Sequence, residues 1–229
     1  MRILCPLLLA NLLLFANGVR AAEEEPAPLP PAGTWARYHV VIKGTDAAEQ
    51  TGELTVKFLG SEQVEGKNCR WIEFRWKFQD WAQVEQYLAT EQALRESKLP
   101  LHESLKGRVR DDEGPTRDLL PPNCTGPSFV LFWLPGARKA AEQVDETVTV
   151  EYQRGRLTSK LGYRTVQRSG PEIDGAPLPA KREYTVWVHP EVPMHLRLRI
   201  RGTEGAGPGG TWSHEQTLQD FGQEEESKN

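Results

Sequence analysis

The 229-residue sequence lacks several motifs that mark common enzyme classes. It has no Gly-x-Ser-x-Gly elbow, no His-Glu-x-x-His zinc motif and no P-loop. Its five histidines are scattered, and none has a second metal ligand at binding distance along its own segment. We therefore expect no enzymatic activity, no metal and no cofactor. A hydrolase with a dispersed site is the least favoured hypothesis, because no nucleophile–base spacing is present.

A strong charge of either sign is also missing. The net charge is −4 at pH 7, and acidic and basic residues are mixed along the chain. Proteins that bind nucleic acid usually carry a clustered basic footprint. We therefore expect no nucleic-acid partner.

Long apolar runs are absent after the first fifteen residues. Arg2 precedes an apolar run from Ile3 to Phe15, small residues follow, and an acidic run begins at Glu23. This order is typical of a secretory signal peptide, with cleavage expected near Ala21. The run is too short to cross about 30 Å of hydrocarbon comfortably, so an uncleaved anchor is the less favoured alternative. We expect an exported mature chain, periplasmic or extracellular, with no transmembrane segment.

Cysteine is scarce, and the expected mature chain keeps only Cys69 and Cys124. An even number of cysteines in an oxidising compartment favours one disulfide. It would close a loop of about 55 residues and contribute on the order of 4 kcal/mol. Two buried free thiols are the alternative.

The remaining chain divides by composition. We expect a signal peptide over residues 1–21, a spacer rich in proline and glutamate over 22–34, a single β domain over 35–222, and a charged disordered tail over 223–229.

The domain is dominated by short stretches in which apolar and polar residues alternate, the pattern of strands with one dry face and one wet face. In the clearest stretch, Leu196, Leu198 and Ile200 alternate with three arginines, and His195 is expected on the wet face, where it could meet His39. The six main stretches are residues 35–43, 53–59, 70–78, 147–153, 182–188 and 195–201, with weaker candidates at 157–168 and 212–221.

Helix is scarce by comparison. Residues 83–98 contain good helix formers, and their later part predicts one short helix. Residues 128–134 form a compact apolar block that fits either a buried strand or a helical turn. One short helix cannot cover the dry face of a sheet of seven to nine strands. We therefore predict a mainly β fold: a strongly curled antiparallel sheet, a half-barrel or open barrel, with the helical insertion plugging its concave side.

The chain also resembles a known family. The segment Val188-His-Pro-Glu-Val-Pro-Met-His195 precedes an alternating strand, a glycine-rich hairpin and a last strand that ends Asp220-Phe221-Gly222. Together with export, a curled sheet and a mid-chain helical insertion, this pattern is similar to the LolA/LolB-like family of periplasmic lipoprotein carriers, in outline over residues 35–222. The resemblance implies an unclosed barrel that holds acyl chains on its inner face. The chain departs from a typical carrier in its charged loop at 108–118 and in its two cysteines.

A concave apolar interior is a common ligand site, so we expect non-catalytic binding of an apolar or amphiphilic ligand such as a lipid or a lipoprotein acyl chain. The alternative is a structural or protein-interaction module of the cell envelope, with a filled core and no ligand. The expected apolar lining is Tyr38, Val40, Phe58, Phe74, Trp76, Phe78, Val186 and Leu198.

Three arginines on one sheet face form a second candidate site. Arg197, Arg199 and Arg201 are about 7 Å apart in turn along a strand and could bind an anionic headgroup or polymer. The favoured alternative is a solubilising face, paired with glutamates of a neighbouring strand such as Glu183 or Glu215.

Overall fold

The computed structural model describes residues 28–44, 48–96, 105–111, 114–119, 141–168, 172–173, 176–177, 181–203 and 210–224. This part of the chain is mainly β, as predicted, and contains one six-residue helix. The apolar block at 128–134, Cys124, the signal peptide, residues 22–27 of the spacer and most of the tail lie outside the described residues.

Fifteen strands and the helix α1 (Glu91–Glu96) follow one another in the described ranges. The strands are β1 (Thr34–Gly44), β2 (Gln50–Val64), β3 (Lys67–Phe78), β4 (Ala82–Thr90), β5 (Lys106–Asp111), β6 (Arg117–Leu119), β7 (Glu142–Val144), β8 (Val148–Tyr152), β9 (Gly155–Ser159), β10 (Gly162–Arg168), β11 (Glu172–Ile173), β12 (Ala176–Pro177), β13 (Lys181–Trp187), β14 (Arg197–Thr203) and β15 (Thr211–Gln223).

Eleven of the strands form one sheet in the order β6-β5-β4-β3-β2-β1-β15-β14-β13-β10-β7. Every pair of neighbours is antiparallel. The first strand pairs with the last over its whole length, so a meander from each half of the chain meets at β1 and β15. The hairpins β8–β9 and β11–β12 are separate two-stranded sheets.

The β2–β3 hairpin shows how local sequence fixes register. Its two-residue loop is Glu65-Gly66, with φ of 51° and 76°. Positive φ at both central residues is what a type I′ turn requires, and this turn matches the twist of the flanking strands. Glycine adopts that conformation without steric cost, so Gly66 favours the turn.

Each of the six alternating stretches overlaps one strand of the structure. The weaker stretch at 212–221 lies within β15, and that at 157–168 covers most of β9 and all of β10. The predicted short helix is confirmed as α1, where the Thr90 hydroxyl accepts a hydrogen bond from the Ala93 amide, the contact of an N-cap. The first half of residues 83–98 is instead strand β4, because pairing with β3 and β5 on its two sides outweighs its helix propensity.

Most of the buried hydrophobic cluster lies on one face of the large sheet, called the inner face below, although Trp187 of β13 joins it from the opposite face. Large side chains of β1, β2, β3, β13 and β14 dominate it, with exposed fractions between 0% and 8%. Helix α1 adds Leu94, and the β8–β9 hairpin adds Val148, Val150 and Leu157. The opposite, outer face carries most of the charged residues, so the alternation in the sequence corresponds to the two faces.

The expected disulfide gains no support. Cys69 is a buried free thiol in β3, and its sulfur lies 3.4 Å from the backbone oxygen of Lys67. Burial raises the pKa of this thiol, so it is held as the neutral, unreactive form. The alternative of a buried free cysteine fits Cys69, while Cys124 lies outside the described residues.

Two glycines of β2 test the packing of the inner face. A Cβ on Gly52 would stand 2.7 Å from both the Lys77 backbone oxygen and the Phe78 ring, whereas a Cβ on Gly60 meets nothing within 4 Å. We expect Gly52→Ala to lower the free energy of unfolding by about 1–3 kcal/mol through overpacking, measured by urea denaturation. Gly60→Ala is the matched control and should change stability by less than about 0.5 kcal/mol. Equal effects of the two substitutions would contradict the β2–β3 packing described here.

Candidate functional site

All eight predicted lining residues lie on the inner face and belong to one buried cluster. Strand register explains why these eight residues lie together. Val186, Leu198 and Val40 lie in one row that crosses β13, β14, β15 and β1. Tyr38 and Trp76 lie in a second row, joined through Leu54 of β2. These side chains share one face because each belongs to a regular strand with period-two alternation, and their role as a ligand lining stays a prediction.

A polar network is set into this apolar surface. The His195 Nε2 and Gln216 Oε1 atoms are 3.0 Å apart, and Gln216 Nε2 is 2.9 Å from His214 Nε2. With the amide in this orientation, Gln216 accepts from His195 Nε2–H and donates to His214 Nε2, which fixes the tautomer of both neutral rings. The three side chains are buried, with His195 and Gln216 at 0% exposure.

Aromatic rings enclose the network. The Tyr38 ring stacks on His195 with centroids 4.2 Å apart and planes inclined by 11°. The Trp76 ring meets His214 edge-on at 6.4 Å. The network is thus held against the aromatic side chains of β1 and β3.

Two atoms of this cluster lack hydrogen-bond partners of ordinary geometry among the described residues, the Tyr38 hydroxyl oxygen and His195 Nδ1. The backbone amide of His195 approaches the Tyr38 hydroxyl and opposes the rise in its pKa that burial causes. Buried polar atoms are normally paired, and an unpaired one costs about 1–3 kcal/mol.

The burial of these rings controls their charge. Desolvation lowers the pKa of His195 to about 3 and that of His214 to about 4. The hydrogen bond that His195 donates to Gln216 opposes this shift in the pKa of His195, and the electrostatic effect of His214 adds to the shift. Both imidazoles are therefore neutral at pH 7, which suits them to an apolar face.

A carboxyl group also lies on the inner face. Glu85 of β4 is aligned with Phe74 on one side and Val109 on the other. Burial raises its pKa, and hydrogen bonds from Tyr87 and Trp76 oppose the rise. The Tyr87 hydroxyl is 3.1 Å from Glu85 Oε2. The sequence analysis missed this placement because it predicted a helix within residues 83–98 and not a strand at Glu85.

The prediction for His195 was wrong. It was expected on a wet face, where it could meet His39, but it is fully buried on the inner face while His39 is exposed. The reason is that β14 begins only at Arg197, so His195 precedes the regular alternation. Its position is set by the hydrogen bond from the Leu196 amide to the Trp187 carbonyl, 2.7 Å long.

The arginine row lies on the outer face, and two of its members are already paired. Arg197 binds Glu215 at 2.5 Å, and Arg199 lies 3.6 Å from Glu215 and 3.8 Å from Glu146. Both guanidinium groups also lie over the buried Trp187 ring, at 6.0 and 5.2 Å. For these two arginines the structure supports the solubilising, ion-paired interpretation.

Arg201 differs from the other two arginines. It is exposed and has no ion pair with any described residue within 4.0 Å, although it is aligned with Glu183 of β13. Across the described ranges, no group of three or more His, Cys, Asp or Glu side chains could hold a metal ion. In the same part of the chain, no helix has the length and apolarity needed to cross a bilayer.

Comparisons with known proteins add little. No protein-family model matches the chain, and no curated protein matches it. Among solved structures, it is similar to a Bacteroides fragilis protein named "putative exported protein with YMCC-like fold". The two share 6% sequence identity, the alignment covers 85% of this chain and 98% of that chain, and the TM-score is 0.33. A similarity this weak carries no argument, and the resemblance to LolA/LolB-like carriers gains no support.

The neutral histidines predict a specific pH dependence of stability. Their folded pKa values lie below the ordinary 6.5, so the unfolded chain binds more protons between the two values and stability falls as pH drops below about 6.5. Between pH 7.5 and pH 5 we expect a loss of about 2 kcal/mol for each histidine. Glu85 has the opposite sign, since its raised pKa favours the folded state at low pH.

Urea denaturation at a series of pH values checks this expectation. His214→Gln should lower stability at pH 7.5 and make its decline toward pH 5 shallower, because one buried titrating group is gone. His39→Gln removes an exposed histidine and should leave the decline unchanged. An unaltered decline in His214→Gln would show that the buried network does not control acid stability.

Proposed function

We propose that the protein is exported and binds an apolar or amphiphilic ligand, such as a lipid or acyl chain, on the inner face of its sheet, without catalysis. The observation that supports this is a continuous apolar face that extends over seven adjoining strands, from β4 to β13. Among the described residues, the six-residue helix α1 and short connecting segments are available to cover it, since the residues that flank the β8–β9 hairpin contact the outer-face residues Arg37 and Arg199.

The difference between the width of this apolar face and the small amount of structure that covers it also supports a curled sheet. Seven strands spaced about 4.8 Å apart span roughly 29 Å, whereas a helix with its side chains is about 10 Å wide. A flat sheet would leave the inner faces of its outer strands wet, yet Phe74 in β3 and Val186 in β13 are both buried in one cluster. We infer that the sheet curls into a half-barrel or open barrel, with α1 on its concave side.

The polar network favours an amphiphilic ligand over a purely apolar one. His195 Nδ1 can accept a hydrogen bond, and the Tyr38 hydroxyl can donate or accept one. A ligand hydroxyl or protonated carboxyl group would meet both needs and leave its alkyl part against Phe74 and Trp76. Neutral histidines and a carboxyl group of raised pKa disfavour a charged headgroup at this depth.

Ligand entry requires the cover to move, because none of the eight lining residues is more than 8% exposed. Helix α1 is held by few contacts, an ion pair between Arg70 and Glu91 at 3.0 Å and the side chain of Leu94 among them. Displacement of this helix would open the apolar face. The resemblance to lipoprotein carriers makes a lipoprotein acyl chain the specific form of this proposal.

Brominated fatty acid provides a direct test, because bromine quenches tryptophan fluorescence on contact. Trp76 and Trp71 lie on the same strand, β3, but on opposite faces. We expect a brominated fatty acid to quench the wild-type emission, and Trp76→Phe to abolish a large part of that quenching. Trp71→Phe, the matched control, should keep it. Lipid extraction of the purified protein followed by mass spectrometry should recover the native ligand.

Equal quenching in the two variants would place the acyl chain elsewhere than the inner face. Absence of both quenching and extractable lipid would contradict the proposal and favour the alternative, a structural or interaction module of the cell envelope. The near-complete burial of Tyr38, Val40, Phe58 and Phe74, each at 0% exposure, favours that second candidate. Such values are what a filled core produces.

A further inference from the structure

A cleft of about 440 Å³ lies at one end of the sheet, where β1, β13, β14 and β15 meet. Ligand pockets commonly fall in this range of volume. Its charged and hydroxyl-bearing lining residues are Lys43, Lys181, Glu183, Arg201, Thr203, Thr211 and Ser213, mostly on the outer face. These charged and hydroxyl-bearing side chains are therefore separate from the ligand proposed at the inner face, whereas Gly202 and Trp212, which also line the cleft, belong to an inner-face row at this end of the sheet.

The strand register brings the three cations of the cleft, Lys43, Lys181 and Arg201, close to one another. Lys43, Ser213, Arg201 and Glu183 form a row across the four strands. The next row toward the strand ends places Lys181 beside Thr203 and Thr211. Adjacent strands are about 4.8 Å apart and alternate residues about 7 Å apart, so the long side chains of the three cations can reach a common group.

The charge balance of this lining is positive. Three cations face the one carboxylate of Glu183, whose oxygen is 4.0 Å from Lys181 Nζ. Lys43 is engaged by Glu49 at 2.6 Å, whereas Arg201 has no ion pair with the described residues. Within the described ranges, Arg201 is the member of the arginine row without an ion pair, since Glu215 and Glu146 pair with the other two.

We propose that this cleft binds a phosphate or sulfate group carried on an organic molecule. The planar guanidinium of Arg201 can donate two parallel hydrogen bonds to such an oxyanion, and Lys181 can add a charge-assisted bond. The hydroxyl groups of Thr203, Thr211 and Ser213 supply further donors. This inference does not depend on lipid binding at the inner face.

An organic carrier fits better than a free ion because the cleft has an apolar wall. Trp212 lines it from an inner-face row, and a Cβ on Gly202 would come within 2.3 Å of its ring. The Arg182 guanidinium lies over that ring at 5.9 Å. An aromatic residue at this end of the sheet offers an apolar surface to the organic part of the ligand, while the oxyanion binds Arg201 on the outer face.

Calorimetric titration with phenyl phosphate and with inorganic phosphate, at constant ionic strength set by chloride, tests the site. We expect phenyl phosphate to bind more tightly than inorganic phosphate, and Arg201→Gln to weaken it at least about tenfold. Lys181→Gln should weaken it as well. Arg156→Gln removes a similarly exposed arginine on β9, outside the cleft, and should bind as the wild type does.

The source of the oxyanion is distinguished in a second arm. Sedimentation with phosphatidic acid vesicles, compared with phosphatidylcholine vesicles, reports a lipid headgroup if binding is lost in Arg201→Gln. Binding of phenyl phosphate with no vesicle binding reports a soluble ligand. Equal weakening in Arg201→Gln and Arg156→Gln, or no binding of either phosphate above the chloride background, overturns the proposal. Thermal unfolding of each variant at pH 7.5 verifies that the fold is retained.

Discussion

The need to keep one face of a single large sheet out of water controls this structure. Each large apolar side chain on the inner face contributes roughly 1.5–3 kcal/mol when buried. That contribution depends on long-range pairing, because β1 and β15, the first and last strands, lie side by side in the middle of the sheet. Loss of this one pairing would separate the two meanders and expose the face that both share.

The polar network is compatible with this constraint only because its members are neutral. A charged imidazole among Tyr38, Trp76 and Leu198 would lose its hydration without gaining a partner. Gln216 resolves the problem by accepting a hydrogen bond from one histidine and donating a hydrogen bond to the other. The network thereby fixes the relative positions of β15 and the segment before β14. Burial and hydrogen bonding act together here, and neither alone would place His195 inside.

Strand β14 connects the two candidate sites. Its inner side chains, Leu198 and Ile200, belong to the buried cluster, and its outer side chains are the three arginines. The three arginines differ in their ion pairs along the strand. Near Trp187, Arg197 pairs with Glu215 and Arg199 with Glu146, so the charges of these two arginines stabilise the sheet. Toward the strand end, Arg201 lines a cleft and has no ion pair within 4.0 Å with a described residue, although Glu183 is aligned with it.

Alternation in the sequence indicates which face a side chain occupies, but it does not indicate which strand lies beside it. The inner position of Phe74 and Leu198 was predictable, because it depends only on neighbours two residues away. The pairing of Arg197 with Glu215 was not, because it depends on the register between β14 and β15. Glu85 and His195 were missed for a related reason: one lies in a strand whose inner face is partly polar, and the other lies just before a strand begins. The features most relevant to function, the polar network and the basic cleft, are both products of register, and register is a property of the whole sheet.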